Sequence, residues 1–497
     1  MLGVVVRYYS FEKYKPVSTY LGLVHLENGT ADAIVAAILQ LLTDVDLKIE
    51  KLCGLGTDNA SVMVGVNQGV FQKLRSSYGL DNLVLVRCVC HSLQLAVSAA
   101  TEESLPRHIE FMIRETYNWF QHSSLRQLTY ANIYKVINDG KIPLKVVQLS
   151  NTKWLSIEPA IGRILDQYIE LKTHFEIVRR TESCYKADML YTMYCDSSNK
   201  VYLIFLHSIL VQKVNKESNN TDSFTLQKDL INFVKSLANI VINNFSNRKD
   251  IGIFELTEEQ IDPYLDPRPY LGFSFEKACE DCNVSPDEKE TVGKRCFNFL
   301  VKLLKQLVIR LPSNKEIFNQ ISLFSVQECL KPQRMPITKI AERFIKNPRV
   351  GTQIEEQWAN LRLTNWQKTE NTAEFWGEVM RYKDASGENP FQDLVGLAVR
   401  LLILPHSNAD VERVFSNMNI VKSKLRNKMS LKTLHNILLI RFAPRHCDSC
   451  TCKVEIPPNE LKAVGTSAVY KMSEEDPIHN EVEILRDLDP AANRKCN

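Results

Sequence analysis

Residues 404–416 read Leu-Pro-His-Ser-Asn-Ala-Asp-Val-Glu-Arg-Val-Phe-Ser. The first part is rich in small and turn-forming residues, and the apolar spacing after it predicts a helix over 409–421. That helix carries Glu412, followed at once by an arginine and then by a Phe-Ser pair. A carboxylate on a helix that starts from such a turn directs attention to upstream segments that could complete a site with it.

Composition sets broad limits on the class of protein. The chain has 497 residues, enough for two or three domains, with 44% hydrophobic and 24% charged residues. Its formal net charge is only +3, so any contact with nucleic acid must come from local basic patches. No apolar run approaches the roughly 20 residues that span a bilayer, and the first residues lack the features of a secretory signal peptide. We therefore expect an intracellular protein without a membrane partner.

The number and spacing of the cysteines also indicate an intracellular protein. The 13 cysteines are an odd number scattered over the chain, which argues against the disulfide framework of a secreted protein. The Cys-x-x-Cys pairs Cys279/Cys282 and Cys447/Cys450 are far apart and lack histidines at zinc-finger spacing. We expect reduced thiols and no structural metal.

The first hundred residues alternate between β-rich and helical segments. Val4–Tyr9 and Ser18–Leu26 predict an antiparallel hairpin around a proline-containing turn, and Thr30 is placed to cap the helix that follows. Ile49–Leu55 and Leu83–Cys88 are near-continuous apolar runs, typical of strands covered on both faces, and each precedes a helical segment. This order predicts a mixed sheet with helices on its faces, an α/β unit.

The rest of the chain is predicted to be mainly helical. Apolar residues recur at helical spacing over 203–214, 224–244 and 297–311, and again over 390–443. The residues after 444 are rich in Pro, Asn and acidic side chains, which is typical of disorder. We predict four parts: an α/β unit over 1–175, a helical insertion over 176–384, a C-terminal helical region over 385–445, and a mostly disordered acidic tail over 446–497.

Asp58 follows a predicted buried strand, in the segment Gly-Thr-Asp-Asn-Ala. Open α/β sheets bind their ligands at the carboxyl ends of strands. A metal-dependent nuclease needs carboxylates that converge on a pair of divalent cations there. The structural alternative is that Asp58 simply caps the next helix, as Asp commonly does.

Four motifs, in this order, resemble those of the hAT superfamily of DNA transposases: Thr57–Ala60, Cys88–His91, Asn151–Ser156 and residues 404–416. The resemblance implies an RNase H-like fold with an Asp, Asp, Glu catalytic triad, in which Asp58 is the second carboxylate and Glu412 the third. It also implies that Trp154 stacks on a flipped base near the transposon end. Lys153 stands where the family usually has arginine, which keeps the charge but loses the bidentate fork.

Each motif also has an ordinary structural alternative. Cys88 and His91 could form a buried polar pair without a metal, because two ligands do not make a closed zinc site. Trp154 could anchor the sheet to the helical insertion. Glu412 could be a surface residue that pairs along its helix with Arg413 or Lys422.

The family's first catalytic Asp is expected on a strand before Val4, and no Asp precedes Asp32, which begins a helix. Asp44 and Asp46 are predicted in a loop, away from a strand end. A two-metal site without one carboxylate should bind Mg²⁺ or Mn²⁺ poorly, so we expect an incomplete triad, no cofactor and no strand cleavage. Without that first strand, the hairpin and the strand near Ile49 must pair directly or leave an open edge. The N-terminal BED-type zinc finger of the family is also missing.

In the family, the C-terminal region exchanges helices between subunits. The resemblance therefore implies a homodimer, or a dimer with a related hAT-derived protein, through an apolar surface that includes Leu394, Leu397, Leu401, Leu434 and Leu438. The alternative is that these leucines only pack internally onto the α/β unit.

Two short segments suggest other partners. The residues Lys422, Lys424, Arg426 and Lys428 form a local basic patch that could contact DNA phosphates, serve as a weak nuclear-import signal, or be a solvated helix end. In the tail, Val482, Ile484 and Leu485 lie between acidic flanks and resemble a SUMO-interacting motif, which adds a strand to a partner's sheet.

We therefore predict a domesticated, non-catalytic protein that resembles hAT transposases. Its expected fold is α/β plus all-α, an RNase H-like mixed sheet interrupted by a large helical insertion and closed by a dimerisation region. We expect it to act in the nucleus through protein association, with DNA contact. The alternatives are a cytoplasmic location, an adaptor or ligase-like scaffold in SUMO conjugation, and an active metal-dependent transposase.

Overall fold

The computed structural model describes residues 1–121, 123–144, 146, 157–182, 184–214, 223–243, 245, 252–311, 315–333, 335–405, 407–423, 426 and 428–442. The chain divides into two compact units, Met1–His435 and Asn436–Asn497. The first unit contains every described strand and all described helices except the end of the last one. The second is described only over residues 436–442.

The described strands lie in the first 90 residues and form two sheets of two strands. Strands β1 (Leu2–Ser10) and β2 (Lys15–Val24) form the predicted antiparallel hairpin. Strands β3 (Gly54–Thr57) and β4 (Val84–Arg87) pair in parallel. Both pairing directions expected of a mixed sheet are present, but the hairpin does not pair with β3. Direct pairing of the hairpin with β3, one of the two predicted arrangements, is therefore not adopted in the described part of the chain.

The strand predicted over Ile49–Leu55 is wrong in its position. Ile49–Lys51 form a 3₁₀ turn, and β3 begins only at Gly54. Ile49 and Leu52 are apolar because they pack against a small buried cluster. That cluster includes residues of helices α1 (Ala31–Asp44) and α3 (Val70–Tyr78). A short apolar run has the same pattern whether it is a strand or a buried turn, so periodicity alone could not separate the two.

Four helices complete the α/β part: α1 (Ala31–Asp44), α2 (Ser61–Val64), α3 (Val70–Tyr78) and α4 (Val89–Ser104). The hydroxyl of Thr30 accepts a hydrogen bond from the Ala33 N–H at 3.4 Å, so Thr30 caps α1 as predicted. Gly79 ends α3 in the left-handed conformation, with φ +64°, which glycine adopts without steric cost. The helix predicted after β3 is divided into α2 and α3.

All further described elements are helical, which confirms the all-α part of the prediction. They are α5 (Arg107–Gln121), α6 (Ser124–Ile137), α7 (Ile157–Asp166), α8 (Tyr168–Thr181), α9 (Tyr185–Cys195), α10 (Ser197–Val214), α11 (Ser223–Val241), α12 (Glu258–Ile261), α13 (Phe273–Asp281), α14 (Pro286–Arg310), α15 (Lys315–Ser322), α16 (Val326–Cys329), α17 (Thr338–Phe344), α18 (Pro348–Asn360), α19 (Thr372–Arg381), α20 (Gln392–Leu402), α21 (Ala409–Val421) and α22 (Leu431–Phe442). No helix in the described ranges is long and apolar enough to cross a membrane.

Helix α14 joins the α/β part to the helical part. Ser285 and Glu288 form a capping box at its start, and Pro286 occupies the first turn, where a missing N–H costs nothing. The helix packs along α4 and buries an apolar stripe. One continuous core therefore runs from Tyr9 to Leu404. The four predicted part boundaries stay a prediction.

The cysteines in the described part of the chain are free thiols. Burial raises the pKa of both Cys279 and Cys282, which keeps these thiols protonated and unreactive. The second predicted pair, Cys447 and Cys450, lies outside the described residues.

A buried histidine lies in the aromatic part of the helical core. His174 on α8 is fully buried, and its Nε2 accepts a hydrogen bond from Trp119 Nε1 at 3.1 Å. Its Nδ1 has no hydrogen-bond partner among the described residues. Burial, and secondarily the Arg126 guanidinium, lowers the pKa of His174 to about 4. The imidazole is therefore neutral in the folded protein at neutral pH.

This histidine should make the fold sensitive to acid. The unfolded chain takes up a proton on His174 below its ordinary pKa, whereas the folded chain resists until about pH 4. The unfolding free energy should therefore fall as the pH drops below about 6.5, by up to about 1.4 kcal/mol per pH unit from this group. Urea unfolding at about pH 7 and about pH 5 measures this loss.

Two variants separate His174 from the other titrating groups. His174→Gln keeps an acceptor for Trp119 and should reduce the loss of stability between the two pH values. His25→Gln changes an exposed histidine and should leave that loss as in the unsubstituted chain. An equal loss in the His174→Gln variant would contradict the assignment.

Candidate functional site at the end of strand β3

The end of β3 is covered by the turn that precedes α21. A Cβ at Gly54 would lie 2.6 Å from Leu404 Cδ2, and one at Gly56 would lie 2.7 Å from Pro405 Cβ. Both distances are too short for real side chains, so the two glycines allow the turn to lie directly on the strand backbone. The first and last motifs of the chain therefore meet at one place.

Cys88 fastens the same turn to α4. Its sulfur is buried and accepts the N–H of Asn408 at 3.3 Å and the N–H of His91 at 3.5 Å. Cys88 is thus the N-cap of α4 and also holds the residue that precedes α21, 320 positions later in the chain. The contact between Cys88 and His91 that the structure describes is made by the backbone N–H of His91, and the predicted pairing of the two side chains stays a prediction.

The electrostatics of this sulfur follow from its donors. A hydrogen bond from the Cys90 thiol lowers the pKa of Cys88 most, and the N–H groups of Asn408 and His91 lower it further, against the opposing effect of burial. Helix N-termini stabilise thiolates for the same reason, because their free N–H groups point at the sulfur.

Asp58 lies at the edge of this arrangement. Its side chain is exposed, and Oδ1 accepts the N–H of Ala60 at 3.1 Å, which forms a tight local turn. The next residue, Asn59, donates from Nδ2 to Ser92 Oγ at 3.0 Å, and the Cys88 N–H donates to the Thr57 carbonyl at 2.9 Å. Asp58 therefore has an ordinary structural role, because its side chain closes this local turn. These neighbouring contacts also bring the first and second motifs together.

Glu412 lies in the first turn of α21, where its N–H donates to the Asn408 carbonyl at 2.9 Å. Arg413 forms an ion pair with Asp410 at 2.9 Å. Phe415, three residues after Glu412, lies against β1, since a Cβ at Gly3 would be 3.1 Å from its ring. Helix α21 therefore runs from the end of β3 to the hairpin.

A second contact joins the hairpin to the start of α22. The Tyr20 hydroxyl and His435 Nδ1 are 3.0 Å apart. Burial raises the pKa of Tyr20 to about 12 and lowers the pKa of His435, so both groups are neutral at physiological pH. The hydrogen bond is thus between neutral groups, and it ties the hairpin to the C-terminal region within the first unit.

The residues described here do not fit a two-metal centre. Asp58 and Glu412 both lie on segments that border the end of β3, but Asp58 is exposed and engaged in its turn. Within the described ranges, no three His, Cys, Asp or Glu side chains are grouped so that they could hold a metal ion.

The leucines predicted to form a dimer interface are buried within the single chain. Leu394, Leu397 and Leu401 on α20 lie in the main core, each with 0% of its surface exposed. Leu434 and Leu438 on α22 are buried as well. A second copy could reach these side chains only if this packing opened.

The basic segment is partly described. Lys422 is half-buried at the end of α21, whereas Arg426 and Lys428 are exposed. Six predicted site residues lie outside the described residues: Lys153, Trp154, Lys424, Val482, Ile484 and Leu485.

Sequence reasoning missed the residues that hold the motifs together. Asn408 acts through its backbone N–H, which has no sequence signature. Gly54 and Gly56 carried a signal, because alternating glycines in a strand indicate the close approach of another backbone.

Adding a methyl group at Gly56 should displace the turn from the strand. Gly56→Ala places a Cβ 2.7 Å from Pro405, and such overpacking costs about 1–3 kcal/mol of unfolding free energy. Gly396→Ala is the matched control, because a Cβ there meets nothing within 4 Å, and it should stabilise α20 by about 0.5–1 kcal/mol. Denaturant unfolding measures both, and equal stabilities would contradict the packing described.

Two protein-family models match the chain. Residues 1–69 match the ZMYM1/FAM200 RNase-like domain, which covers the hairpin, α1, β3 and Asp58. Residues 358–441 match the hAT family C-terminal dimerisation region, which covers α20, α21 and most of α22. No curated protein matches the chain. The two matches lie towards the two ends of the chain and agree with the order of the first and last motifs, and together they support a protein derived from hAT transposases.

Proposed function

We propose that this protein is a non-catalytic derivative of a hAT transposase that acts by self-association and by contact with DNA in the nucleus. The observation that carries the proposal is the match of residues 358–441 to a dimerisation region. The proposed lack of catalysis rests on the described carboxylates: Asp58 is engaged in its local turn, Asp410 pairs with Arg413, and no three such side chains in the described ranges are grouped to hold a metal ion.

The proposed interface uses exposed side chains and not the buried leucines. Within the matched region, Ile420 near the end of α21 is 65% exposed, and Leu363 in the 3₁₀ turn after α18 is 76% exposed. Large apolar side chains at a surface lose about 1.5–3 kcal/mol of burial free energy each. A second copy of the chain would recover part of that free energy by covering them.

A charged residue at Ile420 should weaken the dimer without unfolding the chain. Ile420→Asp places a carboxylate in the proposed interface, and we expect the dimer dissociation constant to rise by about tenfold or more. Light scattering coupled to size-exclusion chromatography gives the mass over a concentration series. Val66→Asp is the matched control, because Val66 is 84% exposed and lies outside the dimerisation region.

A third variant shows how a variant that fails to fold differs from one that only loses the dimer. Leu434→Asp places a charge at a fully buried position and should unfold its surroundings, which thermal unfolding detects as a lowered Tm. A monomeric wild-type chain, or an Ile420→Asp variant that dimerises as the wild type does, would contradict the proposed interface.

DNA contact is proposed through the basic segment after α21. No Asp or Glu occurs between Glu412 and Asp448, so the positive charge of this stretch is not offset locally. Among its described cations, Arg426, Lys428 and Lys432 are exposed. None of these three forms an ion pair with another described residue, which leaves them able to neutralise phosphates. The same segment would serve as the nuclear-import signal.

Removing these charges should weaken DNA binding and its dependence on salt. For Arg426→Ala/Lys428→Ala/Lys432→Ala, we expect the slope of log K against log salt to become shallower by about 0.9 for each phosphate that is no longer neutralised. Fluorescence anisotropy with a labelled duplex of about 20–30 base pairs, between about 50 and 200 mM NaCl, measures it.

The control removes three charges that already have partners. Arg180, Lys277 and Lys331 form ion pairs with Glu176, Asp281 and Glu328, so their replacement by Ala should leave the salt slope unchanged. A wild-type chain that does not bind the duplex, or equal slopes in both triple variants, would contradict the proposed DNA surface. Cleavage of the duplex by the wild-type chain with Mg²⁺ would contradict the proposed lack of catalysis.

A further inference from the structure

Cys88 is the acceptor for two helix N-termini at once. The N–H groups of His91 and Asn408 both point at its sulfur, from the starts of α4 and α21. A thiolate in this position makes charge-assisted hydrogen bonds, which are stronger than those of a neutral thiol. The strength of the hydrogen bond between Asn408 and the α/β part therefore depends on the charge state of this sulfur.

A second thiol lies beside it. Cys90 donates a hydrogen bond to the Cys88 sulfur, and it is partly exposed whereas Cys88 is buried. Val89 between them is helical, so the two Cα atoms are about 5.5 Å apart by helix geometry. That separation lies within the range that a disulfide bridges, about 4.4–6.8 Å.

We propose that Cys88 and Cys90 form a modification site for peroxide-class oxidants, and that their oxidation to a disulfide releases the start of α21. Solvent reaches Cys90 first, because it is the more exposed of the two. Nothing in the dimerisation or DNA-binding proposals requires this site, so its test is independent of them.

One molecule of hydrogen peroxide oxidises the two thiols to a disulfide and is itself reduced to two molecules of water. The Cys90 thiol passes the proton that it shares with Cys88 to that sulfur, and the resulting Cys90 thiolate attacks one peroxide oxygen. The O–O bond breaks, Cys90 becomes a sulfenic acid, and the hydroxide that leaves takes a proton from solvent to form the first water. The Cys88 sulfur then attacks the Cys90 sulfur, the S–S bond forms, the S–O bond breaks, and the Cys88 proton leaves with the second oxygen as water. Each cysteine is oxidised by one electron, and a dithiol reductant reverses the change.

Oxidation changes the hydrogen bond that reduced Cys88 accepts from Asn408. A disulfide sulfur carries no charge, so the Asn408 N–H loses its charged acceptor. The turn that precedes α21 then still has its apolar packing on Gly54 and Gly56. We expect this turn and the first residues of α21 to open more often, with the rest of the core intact.

The test treats the whole chain with hydrogen peroxide and measures two quantities. Both cysteines lie in the tryptic peptide 88–107, so the disulfide appears as a loss of two hydrogen atoms and as resistance of both thiols to alkylation. Hydrogen exchange of residues 404–412 should then be faster by about tenfold, the factor expected when one charge-assisted hydrogen bond is removed. A dithiol reductant should restore the original rate.

Cys90→Ser is the matched control, because it removes the thiol that peroxide oxidises first, at a partly exposed position, and leaves Cys88 in place. Its exchange over 404–412 should not change with peroxide. The exposed Cys195 should be oxidised in both proteins, which shows that the oxidant acted. The proposal is overturned if peptide 88–107 forms no internal disulfide, if the disulfide forms and exchange stays unchanged, or if peroxide speeds exchange equally in the Cys90→Ser variant.

Discussion

The structure depends on the contact between a glycine strand and a proline turn that are far apart in the chain. Gly54 and Gly56 have no side chains, so the turn at Pro405 can lie on β3. Cys88 then accepts the N–H of Asn408 and fixes the start of α21. Without these contacts, the first and last motifs would belong to separate elements. With them, the end of β3, in the region that matches an RNase-like domain, contacts the turn in the region that matches a dimerisation region.

The same contacts give the C-terminal leucines an internal role. The turn, Phe415 on the hairpin and the Tyr20–His435 hydrogen bond hold α20, α21 and the start of α22 against the first unit's own strands and helices. Leu394 and Leu434 are therefore buried in a single copy. Large apolar side chains that stay exposed in the matched region include Leu363, Ile420 and Ile440.

Much of the fold could be predicted from local sequence signals. The hairpin, the Thr30 cap, the Gly79 end and helix α21 depend on spacing and capping, which are properties of a few adjacent residues. The position of β3 could not be predicted, because Ile49 and Leu52 are apolar for packing against α1 and α3. For the site, the motifs gave Cys88, Asp58 and Glu412. The partner of Cys88 is a backbone N–H 320 residues away, which no local pattern indicates.

Hydrogen exchange of the reduced, unmodified chain tests the central contact most directly, since it measures how often each segment opens. We predict that the amides of residues 407–412 exchange as slowly as those of β3 and β4, because one set of contacts holds all three. Rapid exchange over 407–412, at the rate of an exposed loop and with β3 and β4 still protected, would contradict this packing. In that case the C-terminal signature would not be fastened to the strand, and the candidate site would not exist.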